Sequence, residues 1–475
     1  MTLYNTMSRS IEKVTPITPK KIGLYACGLT VYDYTHLGHL RKYTMDDVLI
    51  RTLKRAGFDV KFIQNVTDVG HLSSDADTGE DKLEKGAKKY GKSVWDIARE
   101  FEAYFFRSMD IMGNIRPDVS CRATEHIAEQ LAMVETLEKK GFAYVIDGDG
   151  VYFDTAKVSD YGKLAHLDIE HLQEGARVEA VVGKRNPTDF ALWKFERPGE
   201  NRAMVWKSPW SERSFPGWHI ECSAMAIKYL GEQFDIHTGG IDHIPVHHTN
   251  EIAQAEAASG KKPFVKYWVH HNFLRVNGEK MSKSLGNFFT IDDVLERNIS
   301  PHALRLFFLT AHYRSEMNFT WENLQGVQKS WEKLVDLVRQ FRQEDERTIL
   351  SPEKLGKVDE YRERFFGHME NDLNTPEAVA VLWEVTKSNI PGSDKFDLIR
   401  DFDTVLGLDI VNAAAVEKKV EEVEVPQNVQ ELLLLRKNAR DEKKWQDADK
   451  LREKIKSFGF EVLDQSDGMQ YVKKL

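Results

Sequence analysis

The run Ile22–Thr30 (IGLYACGLT) is apolar and carries a glycine near its end, the pattern of a buried parallel strand. A turn follows at His36-Leu37-Gly38-His39. A helical stretch from Tyr43 to Ala56 comes next, with apolar positions at Met45, Val48, Leu49 and Leu53. Val60–Val66 (VKFIQNV) alternates as a second strand. Strand, glycine turn, helix, strand is a βαβ unit. It puts both histidines at the carboxyl end of the first strand, where open α/β sheets bind ligands.

The histidine turn suits a triphosphate. Gly38 lets backbone approach phosphate closely, and His36 and His39 can donate hydrogen bonds to its oxygens. A second string, Lys280-Met281-Ser282-Lys283-Ser284, places two lysines and two serines in one loop. Such a loop can clamp phosphates as they leave as pyrophosphate.

At 475 residues the chain is too long for one ordinary domain. No apolar stretch is long enough to cross a bilayer, and the start, Met1-Thr2-Leu3-Tyr4-Asn5-Thr6, lacks the order of a signal peptide. A cytoplasmic protein without membrane attachment is therefore expected. The net charge of −9 argues against non-specific coating of nucleic acid, but not against one folded RNA bound through local basic surfaces. Cys27, Cys121 and Cys222 in such a compartment are no disulfide framework, which raises the question of metal binding.

Between Asp118 and Arg213 the pattern changes. A helix from Thr124 to Lys140 leads to a hairpin over Val145–Asp154, turning at Asp147-Gly148-Asp149-Gly150. This reads as an insertion that splits the α/β domain. Parallel character resumes at Phe234-Asp235-Ile236-His237, and Tyr267–Val276 precedes the lysine-serine loop. From Pro301 to about Gly407 the reading is helical throughout. Val411–Pro426 reads as a linker. A last helix carries Ala448, Leu451, Ile455 and Phe458 on one face, and a hairpin of Phe460–Leu463 and Tyr471–Val472 turns at Asp467-Gly468. The expected segments are 1–117 and 214–300 for the two halves of the catalytic domain and 118–213 for the insertion. The rest divides into 301–410, a helical bundle, and 427–475, a small terminal domain.

Cys27 ends the first strand, and Cys222 lies in Trp218-His219-Ile220-Glu221-Cys222. His247 and Glu251 are four apart in a helical segment, so both project from one face. Two thiolates, an imidazole and a carboxylate suit a tetrahedral Zn²⁺. By spacing alone buried free thiols are the default reading, and His243 and His248 compete as ligands. Pro245 interrupts any helix from His243, which favours His247 with Glu251.

The HLGH and KMSKS strings resemble the HIGH and KMSKS elements of class I aminoacyl-tRNA synthetases. GWHIECSAM, the GGID…HHTNEIAQ segment, KMSKSLGNFF and MENDLNTPEA (Met369–Ala378) are similar to the cysteinyl-tRNA synthetase family over nearly the whole chain. The resemblance implies a Rossmann-like parallel sheet split by an insertion, then an anticodon-side helical bundle and a C-terminal α+β RNA-binding domain. It implies one Zn²⁺ on Cys27, Cys222, His247 and Glu251, selecting the thiolate of cysteine, and Mg²⁺ with ATP. Cys121 matches nothing and reads as structural.

The implied partners are ATP, cysteine and tRNA(Cys), with a monomer as the family expectation. His36, His39, Lys280 and Lys283 take the catalytic roles. Gly38, Gly239, Gly240, Asp242, Ser282 and Ser284 meet the nucleotide, and Thr67 and Trp218 wall the amino-acid pocket. Arg436, Lys437, Arg440, Lys443, Lys444 and Trp445 suit RNA, although interleaved acids leave a solvated face nearly as good a reading. The chain departs from the family pattern after Thr67-Asp68, at GGIDHIPVHH and at Gly468–Lys474. Two alternatives share parts of the pattern: a cysteine:amino-sugar ligase of the mycothiol type, and a non-catalytic RNA-binding paralogue.

Overall fold

The computed structural model describes residues 1–70, 81–166, 182–343, 349–416, 425–464 and 470–474. The stretch following Gly70, half of the expected linker and the Asp467-Gly468 turn lie outside these residues. The chain divides into two compact units, Met1–Ala415 and Val416–Leu475.

The first unit opens with a small hairpin, β1 (Thr2–Asn5) and β2 (Ser10–Lys13). Its centre is a five-stranded parallel sheet of β3 (Lys21–Ala26), β4 (Asp59–Val66), β5 (Val119–Arg122), β10 (Phe234–Gly240) and β11 (Val265–His271). The order is β11-β10-β3-β4-β5. The chain therefore runs outward from β3 in one direction and returns on its other side, which opens a crevice at the carboxyl ends of β3 and β10.

Successive residues of β3 serve opposite faces, as the period of a strand requires. Leu24 and Ala26 join a buried cluster with Met45, Val48 and Leu49 of helix α1 (Leu37–Arg55) and with Phe365, Leu382 and Phe402 beyond it. Tyr25 faces the other way, against Ile63, Trp268 and the strands between β5 and β10. Those strands form an antiparallel sheet of β6 (Ala143–Ile146), β7 (Gly150–Phe153), β8 (Phe190–Phe195) and β9 (Ser214–Pro216). Helices α2 (Trp218–Leu230) and α3 (His247–Ser259) flank β10 in sequence.

Two expectations need correction. The HLGH string is the first turn of α1 rather than a turn before it, because the His36 side chain caps the helix. The region after Pro301 is not helical throughout. β14 (Met317–Phe319) pairs in parallel with β12 (Leu274–Val276), which pairs antiparallel with β13 (Glu279–Lys280). Three residues between helices show no period, so this strand is invisible to pattern reading. The helices Trp321–Gln343, Pro352–Glu370, Thr375–Lys387 and Gly392–Leu406 follow.

Gly28, just beyond β3, is required by close approach: a Cβ there would lie 1.5 Å from the Asn65 carbonyl oxygen. The same backbone donates from Gly28 N to Asn65 Oδ1 at 2.8 Å. Gly28→Ala must force β3 and β4 apart at the crevice. We expect it to lower stability by about 3 kcal/mol, the upper range for overpacking, as read by urea unfolding.

The second unit has helices Gln427–Asp441 and Trp445–Ser457 and a hairpin of β15 (Phe460–Asp464) with β16 (Gln470–Lys474). The expected basic helix is thus two helices. Arg436 is not on a solvent face, being buried with Nη1 donating to Gln470 Oε1 at 2.6 Å. Phe458, expected on the packed face, is exposed.

Candidate active site and metal centre

Cys27 follows β3 directly, tied to β10 by its N–H on the Thr238 carbonyl at 3.0 Å. Cys222 comes from α2, and His247 and Glu251 from one face of the first turns of α3. All four are buried, and their ligand atoms lie within 4.8 Å of one another. A second group within the same limit shares Cys27 and Glu251 but adds His237 of β10 and His248. His247 Nε2 is 2.9 Å from Glu251 Oε1, and His237 Nε2 is 3.0 Å from Oε2. Cys27 Sγ lies 3.3 Å from His248 Nε2. Of the imidazoles left open by spacing, His247 joins both cysteines, His248 joins only Cys27, and His243 joins neither group.

Electrostatics favour the anionic form at Cys27 and Glu251 but not at Cys222. Burial would raise the Cys27 thiol, but a hydrogen bond from Cys222 and the charges of His248 and His237 hold it well below its ordinary value. Cys222 goes up, through that hydrogen bond and burial. Glu251 resists its own burial and sits at about 2 because His237 and His247 face it. His247, also opposed by burial, is raised to about 10 chiefly by Glu251. A buried cluster rich in thiol, imidazole and carboxylate is one that a cation can neutralise.

Outer contacts hold the imidazoles. His219 Nδ1 is 3.0 Å from His247 Nδ1, and the Trp218 ring packs on His247 at 4.5 Å. His248 Nδ1 meets His270 Nε2 at 2.8 Å, and His270 in turn meets Thr6 Oγ1 at 2.7 Å. Sequence reasoning missed His219, His237 and His270. His219 could have been found beside Trp218, whereas His237 and His270 lie on strands that read as core.

At the start of α1, Gly38 N–H and His39 N–H donate to His36 Nδ1 at 3.1 and 3.3 Å, and His36 N–H donates to His39 Nδ1 at 3.4 Å. The two rings stack at 3.5 Å. Because each Nδ1 accepts, each neutral ring carries its proton on Nε2 and can offer that as a donor. Burial lowers His39 well below its ordinary value and brings His36 down to about 4. Between pH 6.5, the ordinary value, and about 4, the folded chain therefore binds fewer protons at His36 than the unfolded one. Stability is present above this window and is lost as the pH falls through it. His36→Asn keeps a capping acceptor without titrating, so we expect a shallower loss between pH 7 and pH 5 in urea unfolding.

The KMSKS string leaves β13 at Lys280. Ser282 N–H donates to Asn287 Oδ1 at 2.7 Å, and the Ser282 and Ser284 hydroxyls are 2.7 Å apart. Lys283 pairs with Asp33, from the loop between β3 and α1 on the facing wall. Between these walls lies a cleft of about 660 Å³. His36, Gly38, His39, Lys280, Ser282 and Lys283 line it, together with Thr67, Trp218, Gly240 and Asp242. Cys27, Cys222 and His247 close its floor, so the donor cluster and the two phosphate-type strings share one cavity. Glu251 lies behind that floor, and Gly239 and Ser284 do not line the cleft. A Cβ on Gly239 would lie 2.4 Å from the His248 ring, so this glycine makes room for the histidines. Thr67 Oγ1 accepts from Asn65 Nδ2 at 3.1 Å. Asp242 caps neither adjoining helix and is exposed. Cys121 is outside the cluster, buried near the Gln64 carbonyl, and burial raises it to about 12.

A switch-point cleft in a parallel sheet, walled by HLGH and KMSKS, defines the fold of a class I aminoacyl-tRNA synthetase. The solved Mycobacterium tuberculosis methionyl-tRNA synthetase in complex with methionyl-adenylate shares this fold at a TM-score of 0.55 and 17% identity, over 83% of this chain and 90% of that one. The model of the class I (C) tRNA synthetase catalytic domain matches residues 13–329, and that of the cysteinyl-tRNA ligase anticodon binding domain matches residues 422–472. Cysteine--tRNA ligase 1 of Burkholderia lata is 47% identical over 472 residues, spanning 99% of this chain and 96% of the relative. Cysteine--tRNA ligase of Thermus thermophilus is 40% identical, spanning 99% of each. The chain belongs to the cysteine--tRNA ligase family of class I synthetases. Among the described residues no helix is long and apolar enough to cross a membrane.

Proposed function

We propose that the chain joins cysteine to tRNA(Cys) in two steps: formation of cysteinyl-adenylate and pyrophosphate from ATP, then transfer to the terminal ribose of the tRNA. One observation carries this reading. A buried Cys-Cys-His-Glu cluster forms the floor of the cleft that HLGH and KMSKS wall. The donor set fits Zn²⁺, with Cys27, Cys222, His247 and Glu251 as the residues that would hold it. Bound there, Zn²⁺ supplies affinity for a thiolate that a serine hydroxyl cannot match, which shape alone discriminates poorly.

The protein's own groups then do the positioning on which nucleotidyl transfer depends. Trp218 and Thr67 flank the space above the cluster and confine the substrate side chain. Nε2–H of His36 and of His39 offers neutral donors to phosphate oxygens in the transition state. Lys280 and Lys283 neutralise the departing pyrophosphate, with Mg²⁺ accompanying ATP, while Gly38 keeps the helix start open to the phosphates. Asp242, exposed and free of any capping duty, is the candidate for the ribose hydroxyls. We assign 427–475 to the RNA, a reading supported by the anticodon-domain match at residues 422–472. That match also disfavours an amino-sugar ligase, and the presence of His36, His39, Lys280 and Lys283 around one cleft disfavours a non-catalytic paralogue.

The test is charging of a tRNA(Cys) transcript with labelled cysteine, ATP and Mg²⁺. Base-labile, acid-precipitable product is the expected result. Cysteine-dependent pyrophosphate exchange without charging would move the acceptor elsewhere, and neither activity from metal-loaded protein would overturn the reading.

A further inference from the structure

Two residues beyond His39, helix α1 carries Arg41, whose side chain is 2% exposed. Nη1 donates to the carbonyl oxygens of Asn272 and Phe273, both at 2.9 Å. Nη2 donates to those of His312 at 3.0 Å and Ser315 at 2.8 Å. Among the described residues no carboxylate pairs with it, and Nε has no partner. Burial brings the guanidinium down to about 10, so it remains charged at neutral pH. A buried cation without a counter-charge is costly, and here only main-chain dipoles compensate it.

The four carbonyls share one architectural property. Asn272 and Phe273 lead into β12, and His312 and Ser315 lead towards β14, its parallel neighbour. β12 also pairs with β13, which delivers Lys280 to the cleft. Arg41 thus pins both entrances of the small sheet that carries KMSKS onto the helix that begins with HLGH. The other end of the loop is tied to the same helix start, through Leu37 N–H on the Phe289 carbonyl at 2.9 Å and a bridge between His36 and Thr290.

We infer that Arg41 is a positioning residue for adenylate formation, setting the reach of the KMSKS lysines to a nucleotide held by the HLGH turn. The inference rests on the function proposed above. A fork that satisfies four carbonyls fixes two segments at once, whereas an ammonium, with three donors on one point, fixes them less well. Misplacement of catalytic groups by an ångström costs up to about a hundredfold in rate.

The experiment compares Arg41→Lys with wild type in cysteine-dependent ATP–pyrophosphate exchange. Metal content, cysteine binding and amide hydrogen exchange over residues 272–290 are measured alongside. We expect kcat to fall about tenfold to a hundredfold, with a raised KM for ATP. Cysteine affinity and metal content stay within about twofold of wild type, and exchange quickens over 272–290 but not in the central sheet. Kinetics within twofold of wild type overturn the inference, as does a loss that falls equally on cysteine binding, metal and rate. If Arg41→Lys does not fold, Arg41→Met enters the same assays, and failure of both to fold assigns Arg41 to folding alone. Absence of exchange in wild type is the separate result that would sink the proposed function.

Discussion

Cys222→Ala is expected to prevent the chain from holding the proposed Zn²⁺ and to lower cysteine activation by about a hundredfold to a thousandfold, the scale for losing a site's main electrostatic contact. The reasoning turns on the two overlapping donor groups. Cys27 and Glu251 belong to both, so substituting either cannot tell them apart. Cys222 belongs only to the group with His247, whereas His237 and His248 belong only to the other. The paired experiment measures zinc retained after dialysis in Cys222→Ala and in His248→Ala. Loss in the first and retention in the second places the ion among both thiols. The reverse would place it between His237 and His248 and leave Cys222 as a hydrogen-bond donor to Cys27. Truncating one buried thiol removes little volume, so the fold should persist and the metal readout should be clean. Cysteine-over-serine selectivity should fall with the metal, because the remaining pocket separates such close analogues by only a few kcal/mol.

What the sequence disclosed followed how local each signal is. HLGH and KMSKS are contiguous strings, and the βαβ frame around the first appears as an apolar run, a helical period of 3.6 and then an alternating strand. The donor cluster is assembled from residues 27, 222, 247 and 251, and only the last two are linked by helical spacing. Spacing alone left three imidazoles in competition there, and the resemblance to known synthetases had to choose. His237 was out of reach because it sits in the middle of a buried strand, where an imidazole reads as core. The placement of HLGH inside α1 was missed because glycine and histidine read as turn residues and no serine, threonine, asparagine or aspartate marks the cap. An imidazole Nδ1 does that work instead. Arg41 was missed for a related reason: a helical arginine is expected at the surface, and its four acceptors come from segments more than two hundred residues away.

Lys283→Ala is expected to slow adenylate formation by about a hundredfold to a thousandfold while leaving cysteine affinity unchanged, the range for removing one preorganised contact to developing charge. In the structure Lys283 is paired with Asp33 across the cleft. The two side chains are 42% and 22% exposed, so solvent screens the pair. Such a pair is worth about 0.2–1 kcal/mol, less than a triphosphate with its several charged oxygens can offer the same ammonium. Asp33 therefore holds Lys283 near the cleft without keeping it from the nucleotide. Asp33→Asn should accordingly change the KM for ATP by less than about fivefold, the equivalent of that pair energy, and leave the turnover near wild type. Pre-steady-state kinetics of both variants test this division of labour. If Asp33→Asn loses as much turnover as Lys283→Ala, the aspartate aims the lysine during the reaction. If Lys283→Ala instead weakens cysteine binding and spares turnover, Lys283 has no part in stabilising the departing pyrophosphate.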